Sequence, residues 1–330
     1  MLKISTNPHI QTKRDTKSIM LDVVIALLPA ALFAVIFFGL DALKVILTSV
    51  FACVMFEYLA CRFWLKQKST VNDYSAVITG LLLAYNLPSG MPCWMIFVGA
   101  FMAIVVAKKC FGGLGNNIFN PALVGRVFLF ISFPVQMTLW PKPHFMQMFS
   151  PDAQTGATTL RMLKSIAPDG EEIAADMFSL DELPSYFDMF VGNVGGCIGE
   201  ITVFALLLGF AYMLWRKVIK WHIPVFYIAT VLILTSILYF STGNLKYLPI
   251  AHILSGGLML GAIFMATDYA TSPMTIKGQI IFAIGCGLLT VIIRSFSAYP
   301  EGVSFAILIM NALVPLIDKF AVQRYYGEKK

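Results

Sequence analysis

Apolar residues run through this chain in long blocks separated by short polar joints. The blocks Ile19 to Leu40 and Ile201 to Trp215 approach or reach the ~20 residues that cross a hydrocarbon core ~30 Å thick. Read between their joints, the blocks predict ten helices, at residues 19–39, 42–64, 75–87, 91–107, 119–133, 196–215, 222–240, 249–267, 278–296 and 303–318. The third and fifth are short. From Pro134 to Phe190 the pattern stops: Pro141, Pro143, Pro151, Pro168 and Pro184 interrupt the chain, which carries Asp152, Asp169, Glu171, Glu172, Asp176, Asp181, Glu182 and Asp188. A long connection without elements of its own is usually functional. The expected class is an all-α polytopic membrane protein. Its parts are an N-terminal segment 1–18, a five-helix half 19–133, a loop region 134–195, a second five-helix half 196–320 and a tail 321–330.

Composition strengthens this reading. With 58% hydrophobic residues, 13% charged and mean hydropathy +0.78, the chain has too few charges to clothe a soluble domain. The net charge of +6 reports topology rather than a nucleic-acid partner. A cytoplasmic N-terminus places Lys13, Arg14, Lys17, Arg62, Lys66, Lys68, Lys108, Lys109, Arg216, Lys217 and Lys220 inside. The other side receives only Lys44, Lys142, Arg161, Lys164, Lys246 and Arg294. The positive-inside rule therefore predicts both termini in the cytoplasm and the long loop outside the cytoplasmic (inner) membrane of a bacterial cell. The first apolar block is longer than the core of a signal peptide, so it is expected to be retained as a span. Six cysteines without a C-x-x-C pair read as buried thiols, and four scattered histidines leave no local metal-ligand constellation.

Five spans per half make any similarity between the halves an inverted repeat. Thr79-Gly80 followed by Pro88-Ser89-Gly90 parallels Gly256-Gly257 followed by Thr271-Ser272-Pro273, and both read as broken helices. Asn116-Asn117-Ile118-Phe119-Asn120-Pro121 and Ala298-Tyr299-Pro300-Glu301-Gly302 are further polar breaks at helix starts. Irregular backbone at membrane depth persists only against protein or a wet cavity, where freed amides can bind ligands. Intramembrane acids are costly and survive by pairing or function. Asp22, Glu200 and Asp268 are the candidates for an ion path, with Glu57 a further intramembrane acid; the competing reading makes each an interfacial acid or a partner for Arg126 or Arg294.

The long loop contains Asp152-Ala153-Gln154-Thr155-Gly156-Ala157-Thr158-Thr159-Leu160. A hydroxyl beside Gly and Ala is open to a bulky group. Local physics prefers a simpler role, in which Thr155 or Thr158 caps a short helix. The pattern nevertheless resembles the flavinylation signature of bacterial ion-pumping redox complexes, with Asp152, Thr155, Gly156 and Ala157 as the attachment motif and Thr158 as the residue esterified to the phosphate of FMN.

The resemblance covers nearly the whole chain. Ser5-Thr6-Asn7-Pro8-His9-Ile10, Ile19 through Pro29, Gly113 through Ala122, Gly195 through Glu200 and Ala266 through Pro273 look like the RnfD/NqrB family. That family comprises RnfD of the Rnf complexes and NqrB of the sodium-pumping NADH:quinone reductase. The NqrB branch usually has a longer N-terminal extension, so the resemblance is nearer to the RnfD branch. Cys197 stands where serine is expected.

The resemblance implies an electron-relay subunit of an ion-translocating ferredoxin:NAD+ oxidoreductase, moving Na+ or H+ and not catalytic on its own. It also implies covalent FMN and a noncovalent riboflavin, for which Asn116, Asn117 and Asn120 are the candidate residues. The implied partners are the other Rnf subunits, one with a second covalent FMN, together with membrane lipid and a flavin transferase. NAD and iron–sulfur chemistry would belong to those subunits, since this chain has no dinucleotide-binding glycine fingerprint. The rival reading is a flavin-free solute channel of the five-plus-five type.

Overall fold

The structure is a computed structural model that describes residues 15–66, 70–141, 143, 155–165, 183–200, 202–297 and 301–321. Helix α1 (Thr16–Leu59) continues as a π-helical turn to Trp64. It is broken at Gly39, whose φ of +64° is open to a residue without Cβ. The break falls at the joint expected between the first two helices, and the whole run Thr16–Trp64 is 49 residues long. There follow α2 (Ser75–Tyr85), α3 (Cys93–Phe101) with a π-helical extension Met102–Lys109, α4 (Pro121–Ser132) and α5 (Pro134–Met137). The pair β1 (Trp140–Pro141) and β2 (Thr155–Gly156) is antiparallel, with Pro141 opposite Thr155. It is a small addition to the all-α expectation. Beyond it lie α6 (Thr159–Lys164), α7 (Tyr186–Val191), α8 (Val203–Trp215), α9 (His222–Thr242), α10 (Pro249–Leu254), α11 (Leu258–Leu260), α12 (Ile276–Phe296) and α13 (Val303–Phe320).

Four of these helical runs are long and apolar enough to cross a bilayer: Thr16–Trp64, His222–Thr242, Ile276–Phe296 and Val303–Phe320. Ser75–Tyr85, Pro121–Ser132 and Val203–Trp215 are shorter apolar helices. Large apolar side chains such as Leu32, Phe240 and Phe296 stand on the outer faces, as a lipid solvent permits. The chain is therefore a polytopic helical membrane protein. Close crossings hold it together, since apolar burial gives no drive between helices already in lipid. A Cβ on Gly80 would lie 2.7 Å from Val50 Cα, and one on Gly209 only 2.3 Å from Ala26 O. Ser49 Oγ bonds Gly80 O at 2.7 Å across the first of these crossings.

One helix boundary differs from the sequence reading in a way that bears on function. Thr79 and Gly80 are helical, within the expected helix 75–87, with Gly80 at a helix crossing, and the chain leaves the helix after Tyr85, ahead of the break expected at Pro88-Ser89-Gly90. The helix expected to begin at 196 begins at Val203. Ile198 N donates to Leu87 O (3.1 Å) and Gly199 N to Tyr85 O (2.8 Å), so this segment pairs with the stretch that follows α2. A Cβ on Gly199 would fall 2.4 Å from that of Tyr85. Glu200 thus sits in a turn ahead of α8, not one turn inside a helix.

The break expected near Gly256 is present: Gly256 (φ +71°) and Gly257 (φ +65°) separate α10 from α11. A small apolar cluster of Leu160, Leu163, Met189 and Ala251 docks α6 and α7 against α10.

Candidate cofactor and ion-handling sites

Thr158 is the N-cap of α6: its Oγ1 accepts the Arg161 amide at 3.3 Å. The side chain is 5% exposed, not open as the flanking Gly and Ala suggested, because Leu160 and Leu163 pull the helix into the cluster with Met189 and Ala251. Thr158 still lines a cleft of about 340 Å³ with its open mouth, shared with Gly195, Gly196, Glu200, Ser255 and Gly256. Capping uses an oxygen lone pair, whereas esterification replaces the hydroxyl hydrogen, so one threonine can do both. The wall of glycines leaves backbone where side chains would close the space: a Cβ on Gly196 would stand 3.1 Å from Glu200 Oε2. Thr158 and this cradle therefore fit an esterified phosphate. Of the other motif residues, Gly156 and the backbone of Thr155 lie in β2 and Ala157 joins it to α6. Asp152 is outside the described residues.

At the opposite end of the helices a larger cleft, about 740 Å³ with its mouth, is lined by Asn117, Asn120, Lys108, Asp268, Thr79 and Phe264 among others. Its size is within the range of small-molecule sites (~300–1,000 Å³). The three asparagines proposed from sequence have separate fates. Asn120 is committed to structure, with Oδ1 capping α4 through the Ala122 and Leu123 amides and Nδ2 bonding Met265 O. Asn117 donates to Phe119 O, and its Oδ1 is buried without a partner, an acceptor aimed at no protein donor. Asn116 is exposed and does not line the cleft. An orphaned acceptor in an apolar cleft suits a planar ligand carrying an N–H, as a flavin ring does; Asn117 carries that fit.

Buried charges form three groups. Asp22 bonds Arg216 (3.1–3.3 Å) and Tyr212 Oη (3.2 Å). Its partner is thus Arg216, not Arg126 or Arg294. Glu57, fully buried, pairs with Lys108 (2.6 Å) and Lys109 (3.0 Å) and accepts from Thr70 Oγ1 at 2.5 Å. The sequence reading placed both lysines in a cytoplasmic joint; they are 2% and 3% exposed, because the π-helical turn that ends at Lys109 carries both toward Glu57.

In the third group, Arg126 bonds Asn86 Oδ1 (2.6 Å), pairs with Glu301 and lies 3.5 Å from Glu200. Cys197, Glu200 and Glu301 present ligand-type atoms within 4.8 Å of one another, a grouping that local spacing hid, and Arg126 supplies the positive charge there. Asp268 lines the larger cleft and accepts weakly from Ala270 N (3.4 Å) and Thr271 Oγ1 (3.5 Å). The three acids proposed for an ion path are thus not neighbours. Asp22 and Asp268 belong to the Asn117 end and Glu200 to the Thr158 end. Glu301, which the sequence reading noted only within a Pro-Gly break, is the residue it missed; the signal was an acid inside an apolar context at a helix start.

Buried ion pairs and broken helices mark the chain as a membrane protein that holds charges inside a helical bundle. Its sequence matches the family described as NQR2, RnfD, RnfE over residues 3–327, and the chain belongs to that family. It is 46% identical over 331 residues to the D subunit of the Na(+)-translocating ferredoxin:NAD(+) oxidoreductase complex of Acetobacterium woodii, covering 100% of this chain and 96% of the relative. It is 45% identical to the D subunit of the proton-translocating ferredoxin:NAD(+) oxidoreductase complex of Clostridium ljungdahlii, covering 99% and 96%. To the D subunit of the ion-translocating oxidoreductase complex of Salmonella newport it is 37% identical, covering 100% and 99%.

Proposed function

We propose that this chain is the D subunit of an ion-translocating ferredoxin:NAD+ oxidoreductase of the Rnf type and that it relays electrons through FMN esterified to Thr158. The full-length similarity to subunits so named supports the complex. The observation that carries the flavin reading is Thr158 itself, set by its cap on the edge of a glycine-walled cleft. FMN supplies one- and two-electron chemistry when bound, and the protein supplies position and electrostatics. Thr158 holds the phosphate at the end of α6, Gly195, Gly196 and Gly256 keep the cleft free of side chains, and the Glu200–Arg126–Glu301 group sets the field beneath it. At the other end, Asn117, whose Oδ1 is buried without a partner, is the residue that would hold a noncovalent riboflavin in the larger cleft, which Lys108 and Asp268 also line.

The arrangement proposed for the membrane is a multi-pass protein of the bacterial inner membrane, five helices in each half as an inverted repeat. Both termini are cytoplasmic and Thr158 is on the outside. Trp64, Trp94, Trp215 and Trp221, each more than half exposed, would sit in the headgroup layers. Asp22, Asp268 and Glu200 would then lie toward opposite faces, as ends of an Na+ or H+ path. The partners are the remaining Rnf subunits, including a second one with covalent FMN, and a flavin transferase that loads Thr158.

The test is in-gel fluorescence of the denatured chain, made in a host with the transferase, beside Thr158→Ala. Fluorescence from the wild type alone is the expected result. Its absence from both chains, with the transferase shown active on another substrate, would put a flavin-free channel ahead.

A further inference from the structure

The cleft that begins at Thr158 ends at Glu200, and its water-sized interior is about 20 Å³, room for about one water. Behind Glu200 stands Glu301, with carboxylate oxygens of the two residues and Cys197 Sγ all within 4.8 Å. Of the two guanidinium groups nearby, Arg126 touches the acids and Arg294 is committed elsewhere. Arg126 gives NH1 to Asn86 and NH2 to Glu301, and reaches Glu200 only at 3.5 Å. Arg294 acts on both acids through its field but spends its NH1 and NH2 on the carbonyls of His252, Ser255 and Gly256. Cys197 donates its thiol to Asn86 O and its amide to Glu200 Oε2 (3.3 Å). Glu200 Oε1 receives no hydrogen bond at all. Two buried carboxyl groups this close, with one guanidinium in contact, are placed to share a proton.

We propose that Glu200 and Glu301 hold one proton between them and exchange it, through the cleft, with the flavin carried on Thr158. This rests on the flavin reading of Thr158 and adds to it the source of the flavin's proton. When the flavin is reduced, an electron arrives from a one-electron carrier of a partner subunit. A carboxyl O–H bond of the pair breaks, and an N–H bond forms on the ring. When the electron leaves for the next carrier, the N–H bond breaks and the proton returns to a carboxylate. Arg126, in contact with both acids, stabilises the pair while it is fully ionised, and Asn86 fixes the guanidinium from the opposite side. The redox step at the surface of the bundle is thereby tied to a buried charge that joins α4, the turn before α8 and the start of α13.

Reduced-minus-oxidised infrared difference spectroscopy of the flavin-loaded full chain tests this, with loading scored by in-gel fluorescence. The wild type is expected to show a change in the carbonyl stretch of a protonated carboxylic acid. That band should be lost in Glu200→Gln and in Glu301→Gln, and displaced but retained in Glu200→Asp, a pattern that a merely structural role would not produce. A loaded wild type without the band, or a loaded Glu200→Gln with it unchanged, overturns the proposal. A wild type that carries no flavin gives no difference spectrum and overturns the flavin reading first, and the proton pair with it.

Discussion

Glu57 is the residue whose environment leaves least freedom. It is fully buried and meets Lys108, Lys109 and Thr70. Removing its charge strands two lysines side by side, and breaking a buried pair in this way costs roughly 3–5 kcal/mol. Glu57→Gln is therefore expected to lower the detergent melting temperature more than Lys109→Met, which leaves the Glu57–Lys108 pair intact. Glu57→Gln combined with Lys108→Met should regain part of the loss. A double variant no more stable than Glu57→Gln would mean that the charges are not what holds this site.

At this scale the sequence was informative where a residue's role is local. The cap that Thr158 makes on a short helix was legible from local propensity, as was the polar break that carries Asn117 ahead of α4. Lys108 and Lys109 were read only as markers of topology, since a basic pair at a span end usually reports it, and the fold adds that Glu57 faces them. Glu301 was hidden for the same reason: its partner Arg126 is 175 residues away.

Among elements, the glycines at crossings decide how closely helices approach. Gly80 on α2 and Gly209 on α8 meet the backbone of α1, which cannot yield as a side-chain tip can. Gly80→Val and Gly209→Val are each expected to cost about 1–3 kcal/mol through overpacking, measured as detergent midpoints. Gly243→Ala, where the added Cβ meets nothing within 4 Å, carries only the αL cost of ~1–2 kcal/mol. Equal losses at all three sites would argue against crossing distance as the cause.

Helix existence was legible from hydropathy because lipid demands it. Helix starts were not: the run from 196 is as apolar as a helix, but its amides Ile198 and Gly199 bond the segment after α2. Tertiary pairing overrode the local pattern there, and it placed Glu200 in the turn where the proposed proton exchange occurs.

For the whole molecule, the two clefts stand at opposite ends of the bundle with separate acid groups beside them. Asparagine at Asp22 and at Asp268 is expected to reduce ion uptake by vesicles containing the complex several-fold while Thr158 loading stays at the wild-type level; uptake unchanged in both, and in Glu200→Asn, would remove these acids from the path. The two-ended arrangement was foreseen only in outline, since hydropathy orders helices along the chain but does not say which breaks meet. The described residues show that Asn86, Glu200, Gly256 and Glu301 converge, and no periodicity in the sequence encodes that meeting.

The cap at Thr158 has a further consequence, for the life history of the protein. On the flavin reading, a hydroxyl held at 5% exposure at the cap of a docked helix would come within reach of a transferase only while α6 stands away from Met189 and Ala251. Loading would then belong to a newly made chain and not to a finished complex, so a cell lacking riboflavin during synthesis would keep its empty subunits empty after the vitamin returned.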